Sequence, residues 1–273
     1  MILTDFDYVR PADLAEALEL LAGTPGARVL AGGQSLIADL RTGETTAPLL
    51  VDVRRLAELR GVRRTEGGHL RIGSATTLAE LASDRRVLDE APALAAAARA
   101  NGDPQVRNLG TVGGNLSAGG RATDLPAAAI ATDARVLVAG PGGRRSVPAE
   151  EFAAQGVPAG SVVTALTVPP ARAGAFEKTA DRATRYPVCA AAVRVGPAGL
   201  RIAVTGATVR PVRLRGVEDR LRDGSFSTEA VLAAFRAEPR TLFVPGRGNS
   251  AEYLGHLAGV LTARALARAV ALE

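Results

Sequence analysis

The sequence predicts an α+β chain in two unequal parts, on three observations: a strand–helix–strand start, a looser repeat of it from Leu70, and a change toward strand-like runs after Pro169-Pro170. At the start, Asp13-Leu14 leads into Ala17, Leu18 and Leu21, whose three-to-four spacing marks an amphipathic helix ending near Gly23. Strands are expected at 27–30 and 49–53, with Asp52 near the end of the second. The repeat gives a strand at 70–73, a helix over 77–83 and an alanine-rich helix over 88–100. A helix from Asp124 to about Thr132 and strands at 135–138 and 162–168 complete this part. Beyond the prolines, strands are expected at 176–179, 188–195 and 200–205 and a helix at 228–237. The last helix should open with Asn249 as its N-cap and Glu252 three residues on, with Leu254, Leu257, Ala258, Leu261 and Ala265 on one apolar stripe. The domain boundary is placed at Pro170, giving parts 1–170 and 171–273.

At 273 residues the chain can bury a sizeable core. No run approaches the roughly 20 apolar residues of a membrane span, and the N-terminal stretch MILTDFDYVRPADL lacks a basic-then-apolar leader pattern, so a cytoplasmic protein is expected. A net charge of +5 would suit nucleic acid, but the arginines are dispersed and there is no tryptophan with which to stack bases, so nucleic acid is excluded as a partner. The one cysteine, Cys189, lies in the apolar run Pro187 to Ala192 and reads as a packed side chain rather than a nucleophile. His69 reads as an exposed hairpin residue and His256 lies on the last helix. Neither has a second ligand at metal spacing, so no metal site is expected.

Two glycine-rich loops carry the functional signal: Ala31-Gly32-Gly33-Gln34-Ser35-Leu36, and Gly110-Thr111-Val112-Gly113-Gly114-Asn115 about eighty residues later. Paired glycines let successive backbone N–H groups turn toward one point and approach an anion closely, and two such loops suit a diphosphate. Ser35, Thr111, Asn115 and Ser117 add neutral donors. The competing reading is a pair of ordinary tight turns. Neither loop is a P-loop or a G-x-G-x-x-G fingerprint, so ATPase and Rossmann assignments lose their support.

AGGQSL, the stretch VRNLGTVGGNLSAGGRATDLPAA from Val106 to Ala128, FEKTADR from Phe176, and SAEYLGHLAGVLTARAL from Ser250 together resemble the FAD-binding medium subunit of the molybdenum hydroxylases. That family includes the carbon monoxide dehydrogenase flavoprotein and the flavin domain of xanthine dehydrogenase. The resemblance runs nearly end to end. It implies an FAD-binding domain of the vanillyl-alcohol-oxidase/PCMH type over 1–170, in subdomains of about 1–55 and 56–170. A smaller domain over 171–273, a three-stranded antiparallel sheet with helices, should follow.

By the same resemblance, Val29, Leu30, Ala31, Gly32, Gly33, Gln34, Ser35 and Leu36 should wrap a noncovalent FAD, with Thr111, Gly113, Gly114 and Asn115 completing the cradle. Asp124 matches a carboxylate near the cofactor; alone, it also reads as an N-cap. Lys178 matches a lysine close to the flavin ring, and otherwise reads as a solvated strand lysine. Asn101 matches a position beside the cofactor, and its Asn-Gly sequence also suits a helix end. Tyr186 falls where relatives place a residue over the ring, with core packing as the other reading. Gln34 stands where some relatives carry histidine, which excludes a His-flavin linkage there. The implied function is electron transfer within a heterotrimer. Electrons would come from 2Fe-2S clusters of a small subunit and pass to an acceptor such as NAD, oxygen or quinone, while a molybdopterin-binding large subunit oxidises substrate. A single cysteine cannot itself hold a Cys₄ cluster. A stand-alone flavin reductase of the same fold and a flavin-free scaffold are the alternatives.

Overall fold

The computed structural model describes residues 5–119, 121–197 and 199–271, which leaves Gly120 of the second motif outside the described residues. The chain opens with β1 (Asp7–Val9), α1 (Leu14–Gly23), β2 (Arg28–Leu30), α2 (Leu36–Thr42) and β3 (Leu49–Asp52). β1 and β2 both pair with β3 in parallel, giving the order β1-β3-β2. Asp13 caps α1 by accepting from the Glu16 N–H at 2.9 Å, and the helix buries Leu14, Ala17 and Leu21 against the sheet. Short parallel strands that end together leave their carboxyl edge open, and the first glycine loop leaves from that edge.

The middle of the chain contributes β4 (Val62–Arg64), β5 (Leu70–Gly73), α3 (Leu78–Ser83), α4 (Arg85–Glu90), α5 (Pro92–Ala100), α6 (Pro104–Leu109), α7 (Val112–Leu116) and α8 (Leu125–Ala131). β6 (Arg135–Gly140), β7 (Gly143–Pro148), α9 (Ala149–Gln155) and β8 (Val162–Val168) follow. The strands form an antiparallel sheet of order β4-β5-β8-β6-β7. Leu70, Ile72 and Leu166 meet Leu78, Leu81, Leu94, Leu125 and Ile130 in its core. The helix expected over 88–100 is two helices that meet at Ala91, because Pro92 supplies no N–H to continue α4 and instead starts α5 at N1. His69 lies exposed in the β4–β5 hairpin, as expected.

The C-terminal part has β9 (Ala173–Ala180), β10 (Pro187–Val195), β11 (Arg201–Thr205), β12 (Val212–Arg213), α10 (Arg215–Arg220), α11 (Thr228–Arg236) and α12 (Ala251–Val270). The sheet is antiparallel; three longer strands carry the two-residue β12 at one edge, in the order β12-β11-β10-β9. Alternation sends Phe176, Ala190, Ala192 and Ala203 into the core of the middle unit and Cys189, Ala191, Val193, Ile202 and Val204 against α11 and α12. Cys189 is packed as expected, and burial pushes its thiol up to about 12. Asn249 does not cap α12. Ser250 does, accepting from the Tyr253 N–H at 3.1 Å, while Asn249 is drawn into a two-residue bridge with Gly246.

Asp52, 3% exposed at the end of β3, accepts from the Tyr8 hydroxyl at 2.5 Å and from Arg54 at 2.8 Å. Burial by itself would raise this carboxyl, but the hydrogen bonds from Arg54 and Tyr8 outweigh it and hold the pKa at about 2, against 3.8 unperturbed. A carboxylate whose folded pKa lies below its unfolded value adds stability that is complete above about pH 4 and lost as the pH falls toward 2. Urea unfolding should show a pH-dependent increment of about 2 kcal/mol over that range in the wild-type chain, and Asp52→Asn should lack it.

Candidate cofactor-binding site

Val29 and Leu30 are the last residues of β2, Ala31 to Gln34 form the loop, and Ser35 is the N-cap residue of α2. Gly33 reverses the chain at φ +72°, which a side chain would resist. Among the described residues, no protein acceptor takes the N–H groups of Gly32, Gly33, Gln34, Ser35 or Leu36. Ser35 makes no side-chain cap bond, so its hydroxyl is uncommitted as well. The Gln34 carboxamide folds back to donate to Gly32 O at 3.2 Å. The result is a consecutive set of neutral donors at the open edge of a parallel sheet.

The second loop is built differently, and the expectation of a second bare amide cradle is corrected. Thr111 is the N-cap of α7, its Oγ1 accepting from the Gly114 N–H at 3.2 Å. The Val112 N–H donates to Thr76 O, that of Gly113 to Ser74 O at 2.8 Å, that of Asn115 to Thr111 O and that of Ser117 to Gly113 O. A threonine three residues before a glycine folds the segment into a capped helical turn, which satisfies the Gly114, Asn115 and Ser117 amides within it, while the segment after β5 takes those of Val112 and Gly113. Position is what α7 contributes. A methyl group on Gly32 would strike the Leu109 carbonyl and come within 2.7 Å of Gly110 Cα, so the two loops touch backbone to backbone.

Asn115 also changes role. Its Oδ1 accepts from the Leu125 N–H at 3.0 Å, so Asn115 caps α8 although Asp124 holds the cap position and makes no cap bond. The freed Asp124 carboxylate turns inward, 1% exposed. Asn101 Nδ2 donates to its Oδ2 at 2.7 Å, and Lys178 Nζ lies 2.8 Å from its Oδ1. That contact is off the hydrogen-bonding angle; the aligned bond of Lys178 goes to Ala100 O at 3.0 Å, and Oδ1 keeps no aligned donor. Burial pushes the Asp124 carboxyl above the usual carboxylate range, against the Lys178 charge and the Asn101 hydrogen bond. Three residues singled out in the sequence thus meet in one buried cluster, at the end of α5, the start of α8 and the inner face of β9.

Tyr186 is half-buried at the tip of the β9–β10 hairpin, where its O accepts from the Asp181 N–H. Arg121, three residues before Asp124, pairs with Asp39 of α2 and, at 3.2 Å, with Glu44, which ties the segment before α8 to the helix that follows the first loop. Sequence reasoning missed Arg121 and Asp39, which lie 82 residues apart with no local pattern to join them. It also missed a cleft of about 270 Å³ in which Arg54, Arg55 and Arg60 face Thr77, Leu109 and Thr111 beside the second loop.

An accessible set of backbone donors and a glycine-tight contact between two loops suit a protein that binds an extended, anionic nucleotide. Residues 4–171 match the family described as "FAD binding domain in molybdopterin dehydrogenase", and the chain belongs to that family. It is 35% identical over 284 residues to the carbon monoxide dehydrogenase medium chain of Hydrogenophaga pseudoflava, covering 97% of both. Over 145 residues it is 41% identical to the xanthine dehydrogenase FAD-binding subunit of Escherichia coli O157:H7, covering 53% of this chain and 50% of that one. Its structure superposes on a solved Cu,Mo-CO dehydrogenase chain with a TM-score of 0.91 at 31% identity, each chain covered fully. The protein is an FAD-binding medium subunit of the molybdenum hydroxylase class, and so part of an oxidoreductase.

Gly32→Ala should force the loops apart, destabilise the chain by about 1–3 kcal/mol and cut the flavin-to-protein absorbance ratio severalfold. Gly23→Ala, at a position with open space, should change neither. Lys178→Met should cost about 3–5 kcal/mol by stranding Asp124, and Lys178→Met with Asp124→Leu should recover most of that loss in urea unfolding.

Proposed function

We propose that this subunit takes electrons one at a time from 2Fe-2S clusters on a small partner subunit and passes them to an external acceptor such as NAD, oxygen or a quinone. Substrate oxidation belongs to a molybdopterin-binding large subunit. The observation that carries the reading is the run of uncommitted donors from Gly32 to Leu36, held beside Gly110. This donor set fits FAD: neutral N–H and hydroxyl groups in sequence suit a diphosphate bound for its shape. When bound, FAD supplies the redox chemistry by accepting electrons singly and releasing them singly or in pairs.

The chain's own residues bind and orient. Val29 to Leu36 wrap the diphosphate, holding it through the main-chain N–H groups of Gly32 to Leu36. Thr111, Gly113, Gly114, Asn115 and Ser117 shape the opposite wall through α7. Asp124 and Asn101 receive the hydroxyl-bearing part. Lys178 places a cation in a water-poor seam, where negative charge that gathers nearby is favoured, and Tyr186 limits access of water from the hairpin side. The division at Pro170 into 1–170, itself split near 55, and 171–273 is part of the same reading, supported by the separate sheets of the three units. No described helix is long and apolar enough to cross a membrane, and a cytoplasmic heterotrimer suits that.

Isolation of the native assembly, with flavin, molybdenum and iron analysis and an acceptor screen, tests the reading. Co-elution of this chain with FAD, an iron–sulfur subunit and a molybdopterin subunit is expected. A flavin-loaded chain that elutes alone and reduces an acceptor directly would overturn the electron-transfer role.

A further inference from the structure

Away from the cofactor site, the inner face of the C-terminal sheet carries three arginines. Arg194 on β10 stands directly opposite Arg201 on β11, and Arg213 on β12 stands opposite Ala203, two residues along from Arg201. Strand alternation puts all three on the face that meets α8, and Arg215 follows at the start of α10. Three carboxylates answer them. Asp133, after α8, pairs with Arg201 at 2.8 Å; Glu218 pairs with Arg213 at 2.7 Å; and Glu150 on α9 pairs with Arg215 at 2.6 Å. Four guanidinium groups against three carboxylates leave one cation over.

That cation is Arg194, the most deeply buried of the four at 5% exposure, whose Nε has no partner. Among the described residues it has no ion pair either. Like charges directly opposite each other on a sheet repel, and burial followed by the Arg201 charge pushes the Arg194 pKa down, only partly offset by the Asp133 and Glu218 carboxylates that already pair with Arg201 and Arg213. Arginine nevertheless stays protonated in proteins, so it cannot escape by losing its proton as a buried lysine can. A buried, unpaired guanidinium beside two further arginines calls for a counter-charge. The rim is open for its entry, since the Arg201 and Arg213 side chains are 21% and 19% exposed and that of Asp133 51%.

We propose that the seam between the C-terminal sheet and α8 is a binding site for a small inorganic anion, held by Arg194 with the Arg201 and Arg213 charges alongside. The site is structural, closing the joint between the first 170 residues and the C-terminal sheet, and it is independent of how the flavin is bound. The planar fork of Arg194 suits a phosphate-type oxyanion or a halide, and the probes tell these apart.

The full chain, in the assembly in which it is purified, is unfolded thermally at fixed ionic strength while gluconate is replaced by chloride or by phosphate. A saturable rise in Tm of about 3 °C is expected with at least one of them, and Arg194→Met should abolish it. A wild-type Tm that ignores both anions, or an Arg194→Met variant with the same response, overturns the proposal. If Arg194→Met does not fold, wild-type crystals soaked in bromide or selenate decide. An anomalous peak within hydrogen-bonding reach of Arg194 Nε supports the site and identifies its class, and no peak with either ion overturns it.

Discussion

The contact on which the site depends is steric: the main chain at Gly32 lies directly under the main chain at Leu109 and Gly110. No side chain fits between them. That single constraint fixes the distance from the three-stranded parallel sheet to the helices of the middle unit, and so the width of the space between the first loop and α7. Interiors packed at this density do not yield by fractions of an ångström without cost, so the separation is a property of the fold rather than of its ligand.

Around that contact the polar groups are divided by role. The second loop has its amides taken up by its own helical turn and by Ser74 and Thr76, while the first loop leaves its amides open. Asn115 takes over the capping of α8, so Asp124 is released to face Asn101 and Lys178. One amide side chain thereby decides where a carboxylate points. The resulting ion pair joins a strand of the C-terminal sheet to two helices of the middle unit, and a charge pair buried this deeply is worth more for the geometry it enforces than for its net energy.

Much of this was legible in the chain itself. Pairs of glycines and the strand–helix–strand start are local patterns, and the structure has both; Asp124 and Lys178 stood out by resemblance alone, and the structure brings them together in one buried pair. Roles that turn on a hydrogen-bond partner were not legible. Whether Thr111 offers its hydroxyl outward or caps a helical turn depends on Gly114, and whether Asp124 caps depends on a competitor nine residues earlier. Asn249 and Ser250 are both good caps by type, and the bridge to Gly246 removes the first. Pro92 starts α5, but an unbroken helical pattern running from Leu88 into the alanines after it concealed the break. The Arg121–Asp39 pair and the four-arginine seam join elements far apart in the chain, and only tertiary structure brings them together.

The Arg121 link to Asp39 and Glu44 ties the approach to α8 onto the first helix of the cradle through protein groups alone. A receptor assembled in this way has already met the entropic cost of ordering its walls. The spacing of those walls is therefore set by ion pairs within the chain, and salt that screens the Arg121 pairs acts on the cradle as well.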